Sequence, residues 1–471
     1  MAGLLDVLDP ITRLLPEVRK PKQAPPLQEK LLWTGGVLLL YFVMGQVYPI
    51  GIDEQNVSQA FARLDILLGS RTGTLITAGI GPIVLASIFL QLAVGAGLLK
   101  MDMHQPDGRR RFQGLQKLLA IVLSFGEAFI YTFSGYLPVK AAAPLLGSLV
   151  ATQLILAFQL ALGSILLLYL DEVVQKYGIG QGISLFIAAG VSQAVFLGAF
   201  AFTTQGTDVP TGLIPQAIYF IATGDLVTAV WTLMPIVFTI AVFLTVVYVE
   251  GMKIELPLAY GMARGLGARY PIKFLYVSNM PVILASAVLL NVQLLGLFLF
   301  RAGITIFGNY QGNNPVDGLS YYLSGLPSPL AFTGGYPAYL QFIAQPTEIL
   351  HIITYGIALV LLCILFGWFW IESTGMSARD VAGQLTRVGL QIPGYRQDPR
   401  VIEKILERYI PVITVLGSAF VGILAWFADI TGALGTGTGI LLTVGILYKF
   451  YEELAQQQLF EMYPALKNMG A

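Results

Sequence analysis

Charged residues are scarce in this chain, and their scarcity excludes a soluble globular protein. Asp, Glu, Lys and Arg together make up 11% of the sequence, whereas soluble domains carry about 25%. Hydrophobic residues make up 56%, and the mean hydropathy is +0.73. We therefore expect a membrane protein with several spans. Basic and acidic residues both number 27, so the information lies in where the charges fall.

Cysteine and the usual signatures of catalysis are also nearly absent. The single cysteine, Cys363, lies inside an apolar run, which excludes an internal disulfide or a cysteine metal site and predicts a buried structural thiol. The sequence has no HExxH motif, no GxSxG motif and no pair of intramembrane aspartates. Its two histidines, His104 and His351, are isolated near span ends. We expect no catalytic residue, no metal ion and no cofactor.

Ten apolar stretches are long enough to cross a bilayer, for which about 20 residues suffice. We place them near residues 31–50, 74–99, 114–136, 145–170, 182–203, 229–249, 277–300, 347–371, 409–428 and 436–455. The even number puts both termini on one side of the membrane. Of the 27 basic residues, 23 lie in the terminal segments and in the connections on that side. This excess predicts cytoplasmic termini. The other connections hold only Arg63, Arg71, Lys140 and Arg301.

The second span is interrupted near its start. Within Gly73–Leu99 it contains Gly79, Gly81 and Pro82, and proline removes a backbone donor, so we expect a kinked or irregular backbone there. Irregular backbone at membrane depth is tolerated only where protein covers it or a cavity borders it. The break therefore predicts the lining of a pathway, since a simple anchor gains nothing from it.

The N-terminal 30 residues lack the continuous apolar core of a cleavable signal peptide. Four aliphatic residues there fall on one helical face, and basic residues follow from Arg13 onward. This pattern predicts a short helix in the membrane interface, with a loosely ordered tail as the alternative. The four residues are Leu4, Leu8, Ile11 and Leu15.

Two cytoplasmic loops, residues 250–276 and 372–408, are longer than a simple connection requires. We expect Pro257 and Pro271 to be turn residues in the first loop, and the segment Asp398–Arg408 in the second to be helical. Basic, projecting loops are suited to an RNA-rich or acidic partner. Simple marking of membrane topology explains their charge equally well.

A secondary transporter is a serious alternative, because broken helices and paired halves are typical of that class. Mid-span ionisable residues are few, and Glu127 is the clearest of them. A charge at the bilayer centre costs on the order of 3 kcal/mol, so Glu127 should face the bundle interior, with Asn291 as its expected polar neighbour. A packing hydrogen bond and a gating role both remain open. An odd number of spans in each half permits inverted topology, although the two halves show no convincing sequence identity.

Five separated segments resemble the SecY protein-translocation channel family, and its archaeal branch in particular. They are GTLITAGIGPIV (73–84), DEVVQKYGIGQGISLFIAAGVSQ (171–193), YPIKFLYVSNMPVILA (270–285), RYIPVITVLGSAFVG (408–422) and GALGTGTGILLTV (432–444). The likeness extends through nearly the whole chain. It implies an all-α membrane protein whose ten transmembrane helices form two pseudo-symmetric five-helix halves around an hourglass pore.

The resemblance also implies a division of the chain into regions. Residues 31–203 would form the first half and 229–455 the second, joined by an outer connection at 204–228. A cytoplasmic segment at 1–30 and a tail at 456–471 would flank them. Such a protein is not an enzyme. It passes unfolded secretory proteins across the cell membrane and releases transmembrane segments sideways into lipid.

A ring of aliphatic side chains closes the pore in this family. An aliphatic constriction excludes water and ions, yet it deforms around a passing chain. From the residues alone, ordinary core positions are the favoured interpretation, so the resemblance carries the assignment. The matching positions are Ile80, Val84, Ile183, Ile187, Ile283 and Leu442.

The remaining expectations concern the moving parts and the partners. The resemblance implies a plug helix at about 61–72, for which a fixed re-entrant strut is the alternative, and its apolar residues are Phe61, Leu64, Ile66, Leu67 and Leu68. A lateral gate would include Glu127, Asn291 and Leu85, where Leu85 replaces the family's usual threonine and puts a three-way hydrogen-bond network in doubt. A ribosome would bind at Arg396, and with less support at Lys273 and Arg264. Further partners would be a SecE-type single-span subunit, a second small subunit of the Sec-beta type, signal sequences and nascent polypeptides.

Overall fold

The protein is a bundle of helices with short strands in two of its connections. The computed structural model describes residues 12, 15–23, 25–53, 69–95, 99, 106–140, 148–204, 209–260, 267–277, 280–327, 329, 332, 335–387, 390–391 and 399–462. Among these residues, seven helices are long and apolar enough to cross a membrane. The chain is therefore a multi-span membrane protein, as its composition predicted.

The described residues up to 204 form the N-terminal part of the bundle. Its helices are α1 (Leu27–Met44), α2 (Gly81–Gly95), α3 (Pro106–Phe133), α4 (Leu149–Tyr177) and α5 (Gly182–Phe200). Helices α3, α4 and α5 are among the seven that meet the length and hydropathy needed for a span. Helix α1 follows Pro25 and Pro26, and proline restricts the residue before it to extended conformations.

The described residues from 209 onward form the C-terminal part. Helices α6 (Leu213–Ala222) and α7 (Leu226–Glu250) come first, followed by strands β1 (Lys253–Tyr260) and β2 (Gly267–Lys273) and helix α8 (Met280–Arg301). The next connection contains β3 (Tyr310–Gln311), β4 (Asn314–Pro315), α9 (Gly318–Tyr322) and α10 (Gly335–Ile343). Last come α11 (Pro346–Thr374), α12 (Ala378–Arg387), β5 (Leu390–Gln391), α13 (Pro399–Thr431) and α14 (Gly437–Met462).

The second predicted span is irregular where the sequence indicated a break. Turns occupy the backbone before Gly81, with Gly79 at φ +54°, and α2 begins only at Gly81. Pro82 then lies in the first turn of α2, where a missing amide donor costs nothing because that donor has no partner within the helix. The expected irregularity is confirmed, and it shortens α2 to 15 residues.

The N-terminal and C-terminal parts meet along two lines. On one line α2 packs against α8 and α11, and on the other α5 packs against α14. A single apolar core runs through both parts and includes residues from all five of these helices. Two parts that touch along two separate lines can move apart at one while remaining joined at the other.

The connection between α7 and α8 forms a small sheet with the connection between α12 and α13. Strand β1 pairs antiparallel with β2 on one side and, through Ala259 and Tyr260 alone, with β5 on the other. Pro257 and Pro271, expected to be turn residues, lie inside strands, so that expectation is wrong. Proline is tolerated there because β2 is an edge strand and β1 has no partner beside Pro257 on its β5 side.

The two long loops consequently form one unit with a core of its own. Residues of β2, α11, α12 and α13 bury a second apolar cluster that includes Ile272, Val381 and Leu406. Helix α13 begins at Pro399, which confirms the helix expected over Asp398–Arg408. The all-α expectation therefore describes the bundle but omits this sheet, whose strands β1 and β2 lie in the segment 250–276 that was expected to be a loop.

A segment near the N-terminus lies across the ends of α3 and α4. Lys117 donates hydrogen bonds to the Pro16 carbonyl at 2.5 Å and to Glu172 at 2.8 Å. Lys176 pairs with Glu172 at 2.7 Å and with Glu17 at 3.1 Å. The interfacial helix predicted before this segment lies outside the described residues, apart from Thr12 and Leu15.

Candidate functional site

The six predicted ring residues all belong to the apolar core where the two parts of the bundle meet. Four of them are buried and two are partly buried against the same core. They come from four helices or their starts, α2, α5, α8 and α14. All six are aliphatic side chains of this one core, contributed by both parts of the bundle. The buried residues are Ile80, Val84, Ile187 and Leu442, and the partly buried ones are Ile183 and Ile283.

The start of α5 is held by a carboxylate from the preceding helix. The backbone amide of Ile183 donates to Asp171 Oδ1 at 3.0 Å, while Gln175 donates to Asp171 Oδ2 at 2.8 Å. Gly182 permits this approach, since a Cβ there would lie 2.5 Å from the Asp171 Cα. A carboxylate accepting from the first amides of a helix satisfies donors that have no partner within the helix, so Asp171 fixes where Ile183 lies.

The start of α14 is held in the same way. The Gly437 amide donates to Asp429 Oδ1 at 3.1 Å, and the Tyr355 hydroxyl donates to Asp429 Oδ2 at 3.0 Å. Thr436 lies just before the helix at φ +64°, a strained conformation for a β-branched residue. Its hydroxyl accepts from the Gly439 amide at 3.0 Å. Asp429 and Thr436 together fix the position of α14, and with it Leu442.

The roles of Asp171 and Asp429 were not predicted, although the sequence carries a signal for them. The segments GIGQGISL (178–185) and GTGTGILL (435–442) share the pattern Gly-x-Gly-x-Gly-Ile-x-Leu, and each follows a buried aspartate at the end of the preceding helix. The two segments open α5 and α14, the pair of helices that pack across one of the two junctions. This short repeat would have indicated related roles for the two helices.

The predicted gate residues lie on or beside the other junction. Leu85 and Glu127 are buried, and Asn291 is partly buried on α8. The structure does not join the two polar side chains: the Asn291 amide donates to the Ala287 carbonyl of its own helix at 2.7 Å. Within the described residues, Glu127 Oε1 is buried without a hydrogen-bond partner. A hydrogen bond between Glu127 and Asn291 is therefore not formed in this conformation.

A small groove opens between α2, α8 and α11 beside these residues. Most of its lining is apolar or aromatic, with one amide side chain, from Gln91. Gln91 donates to Ser87 of its own helix at 3.0 Å, so its amide is already engaged along α2. The lining residues are Ile88, Gln91, Leu92, Leu284, Phe366, Phe369 and Trp370.

The predicted plug lies outside the described residues, from Phe61 through Leu68. The last four residues of the predicted plug, 69–72, are described and lie in turns and irregular chain. Gly69 lies against Phe186 and Tyr41, and the Thr72 hydroxyl lies 3.0 Å from the Tyr136 hydroxyl. These contacts show where the C-terminal end of the predicted plug packs against the bundle.

Of the predicted ribosome-binding residues, Arg396 and Arg264 lie outside the described residues. Lys273 lies on β2 and pairs with Glu452 of α14, with its Nζ atom 2.9 Å and 3.0 Å from the two carboxylate oxygens. Its side chain is 39% exposed. Lys273 therefore already has a partner within the chain.

Comparisons with known proteins agree with this architecture. Residues 74–451 match the family model named SecY. The chain is 44% identical, over 99% of each sequence, to the protein translocase subunit SecY of Methanothermobacter thermautotrophicus.

Solved structures are similar over almost the whole chain. The structure of a protein-conducting channel matches with a TM-score of 0.82 and 43% identity over 97% of this chain and 99% of that one. Sec61 in a canine ribosome-channel complex matches with a TM-score of 0.80 and 43% identity over the same shares of the two chains. From the family model and the full-length identity, the chain belongs to the SecY family of protein translocase subunits.

Proposed function

We propose that this chain is the pore-forming subunit of a channel that passes unfolded secretory proteins across the cell membrane and releases apolar helices into lipid. The observation that carries the proposal is that six aliphatic residues from both parts of the bundle share one apolar core, and we propose that they form a layer that closes the pore. SecY is a family of channel subunits and not of enzymes. A passing chain finds no strong polar site in such a layer to hold it.

The proposal assigns ten transmembrane helices and two related halves to the bundle. A described helix overlaps each of the ten predicted spans, and seven meet the length and hydropathy of a span by themselves. The aspartate-held starts of α5 and α14 support a relation between the halves. Residues 204–228 would connect them on the outer side, with both termini cytoplasmic.

Movement in this proposal occurs at the junction of α2 with α8 and α11. Helices packed through apolar side chains part without leaving many polar groups unpaired. The buried Glu127 lies on α3, which packs against α2 of this junction, and its unpartnered oxygen Oε1 is costly to keep in an apolar core. Opening that admits water or a polar segment of a nascent chain would relieve this cost. The plug at about 61–72 would leave the layer at the same time.

The cytoplasmic partner in this proposal is a ribosome, bound by the unit that the two long loops form. A similar solved channel is part of a ribosome-channel complex. The loops share a sheet and a buried core, which makes them a stiff platform. Arg396 remains the principal candidate contact. A SecE-type subunit and a second small subunit complete the proposal, bound on the lipid side.

Cysteine crosslinking tests the pore. Single cysteines at Ile80, Val84, Ile187 and Leu442 should crosslink to a secretory chain stalled during translocation. The native Cys363 is fully buried, so it should not interfere. Cysteines at Val237 and Phe243 of α7, which are 55% and 45% exposed on the bundle surface, are matched controls and should not react with the stalled chain.

Two results would overturn the assignment. Crosslinks at the α7 controls but not at the layer would place the path elsewhere. Saturable uptake of a small solute by liposomes carrying the chain, without crosslinks at the layer, would favour a transporter.

A further inference from the structure

Tyr136, just beyond the end of α3, contacts three separate pieces of the chain. Its carbonyl accepts a hydrogen bond from Asn313 Nδ2 at 3.1 Å. Its hydroxyl lies 3.0 Å from the hydroxyl of Thr72. Its ring packs against Tyr131, with the ring centroids 5.1 Å apart. Tyr136 is 5% exposed, and its contacts with Asn313 and Thr72 are partly buried.

Asn313 lies at the tip of the β3–β4 hairpin, whose strands pair through Tyr310 with Pro315 and Gln311 with Asn314. The hairpin is fastened to α8: the Tyr310 hydroxyl donates to the Gln293 carbonyl at 2.8 Å. Arg301, the last residue of α8, donates to the Gly312 carbonyl at the tip at 3.4 Å. The hairpin is therefore a stiff extension of α8.

The segment that follows the hairpin is fastened to α11. The Tyr321 hydroxyl of α9 donates to Glu348, and His351 Nε2 lies 2.9 Å from the Ser324 carbonyl. Glu348 and His351 are both buried on α11. The hairpin and α9 should therefore move together with α8 and α11.

The Asn313–Tyr136 hydrogen bond consequently crosses between the two parts of the bundle. Tyr136 and Thr72 belong to the N-terminal part, whereas Asn313 and Arg301 belong to the C-terminal part. Gly135 and the Arg301 side chain are neighbours across the same boundary, since a Cβ at Gly135 would be in ordinary van der Waals contact, 3.5 Å, with an Arg301 guanidinium nitrogen. Separation of α2 and α3 from α8 and α11 must break this contact.

We infer that Tyr136 is a positioning residue with two contacts. Through Asn313 it holds the junction shut, and through Thr72 it makes the junction sensitive to the position of the end of the predicted plug, residues 69–72. We call Asn313, Tyr136 and Thr72 the interhalf clasp. The inference rests on the proposed function, because it assigns the clasp to gating. Withdrawal of the segment at Thr72 would release the Tyr136 ring, shift the Tyr136 carbonyl and weaken its bond to Asn313.

The two contacts can be removed one at a time. Asn313→Asp replaces the amide donor with a carboxylate, which only accepts hydrogen bonds. The hydrogen bond to the Tyr136 carbonyl is therefore lost. Tyr136→Phe leaves the carbonyl in place and removes the hydroxyl beside Thr72. Asn314→Asp is the matched control, because Asn314 is an exposed residue in the same hairpin. Asn313→Gln keeps the amide donor.

The experiment measures the resting efflux of a small anion from liposomes that carry the full chain as isolated from membranes. We expect Asn313→Asp and Tyr136→Phe each to raise the efflux about fivefold, the change in population that one net hydrogen bond supplies. Asn313→Gln should restore low efflux, and Asn314→Asp should match the unaltered chain. The double variant should leak no more than the stronger single one, since both changes disable one clasp.

Three results would overturn the inference: efflux unchanged in both single variants, efflux raised equally by Asn314→Asp, or efflux in the double variant equal to the product of the two single effects. A lower unfolding temperature without leakage would show a structural role only and would also overturn it. Failure of the proposed function appears in a different assay, as missing crosslinks between the aliphatic layer and a stalled chain.

Discussion

Lys273 and Glu452 form a two-oxygen ion pair that joins the three-stranded sheet of β1, β2 and β5 to α14. The Lys273 Nζ atom lies 2.9 Å and 3.0 Å from the two carboxylate oxygens and 5.0 Å from the centre of the Tyr448 ring. Strand β2 belongs to the unit of the two long loops, and α14 carries Leu442, a residue of the proposed aliphatic layer. The pair therefore links a candidate docking surface to a helix of the candidate pore.

Reversing the charges of both residues should restore the stability that is lost when only one charge is reversed. Lys273→Glu places two carboxylates together, and we expect it to lower the free energy of unfolding by about 0.2–1 kcal/mol, the usual range for exposed ion pairs. Lys273→Glu with Glu452→Lys should recover most of this loss. Thermal unfolding in detergent measures both, at low salt where screening is weakest. Equal unfolding temperatures for the single and double variants would show that the pair contributes nothing.

The spans were predictable because apolar length is a property of the sequence alone. The break before α2 was predictable too, since glycine and proline act on the local backbone. The sheet was not, because Pro257 and Pro271 normally indicate turns. Their strands form only because β2 is an edge and because β5 arrives from a loop more than a hundred residues away.

The candidate site was only partly predictable, because positions can be transferred from a resemblance whereas contacts between distant segments cannot. A resemblance transfers positions such as Ile80, but it does not show which polar atoms meet. Asp171 and Asp429 hold helix starts through contacts that fold-level packing creates. The Asn313–Tyr136 hydrogen bond is accepted by a backbone carbonyl. Every residue has such a group, so the residue type at position 136 does not indicate which side chain will contact it. The Asn291 amide instead donates to the Ala287 carbonyl of its own helix. This local hydrogen bond competes with any hydrogen bond to a side chain on α3.

Gly163 on α4 is required by a close approach of backbone. A Cβ at this position would lie 1.9 Å from the Leu75 carbonyl oxygen, in the turn segment that leads to α2. Gly163→Ala should therefore displace that segment and cost about 1–3 kcal/mol, measured by thermal unfolding. Gly126→Ala on α3 is the control, since a Cβ there meets nothing within 4 Å. Similar losses for the two variants would contradict the prediction.

Asp429 should stabilise the start of α14 through the hydrogen bonds that its oxygens accept, more than through its charge. Asp429→Ala removes the acceptors for the Gly437 amide and the Tyr355 hydroxyl, and we expect a loss of about 0.5–2 kcal/mol, as for other helix caps. Asp429→Asn keeps one oxygen for the Gly437 amide, while its amide group can donate to the Tyr355 hydroxyl. It should unfold close to the unaltered chain. Thermal unfolding of both variants measures which is less stable. A loss of stability as large for Asp429→Asn as for Asp429→Ala would contradict the prediction.

Acid should loosen the base of the β3–β4 hairpin through Asp317. Hydrogen bonds from the Asn309 side chain, at 2.8 Å, and from its backbone amide, at 2.6 Å, hold the pKa of the Asp317 carboxyl below its ordinary value. A lowered folded-state pKa means that this stabilisation is present above the unfolded pKa of about 4 and is lost as the pH falls through the lower folded value. The hairpin should therefore be well ordered at pH 7 and loosen only in stronger acid than a free aspartate would require.

A spin label on a cysteine at Asn314, an exposed residue beside the hairpin tip, reports this change as increased mobility below about pH 4. In an Asp317→Asn background the label should be mobile at every pH, because the neutral side chain no longer supplies two accepting oxygens. A label at Leu226, 62% exposed at the start of α7, controls for general unfolding in acid. Label mobility at Asn314 that stays constant from neutral pH into acid, or that titrates equally in the Asp317→Asn background, would contradict the role of Asp317.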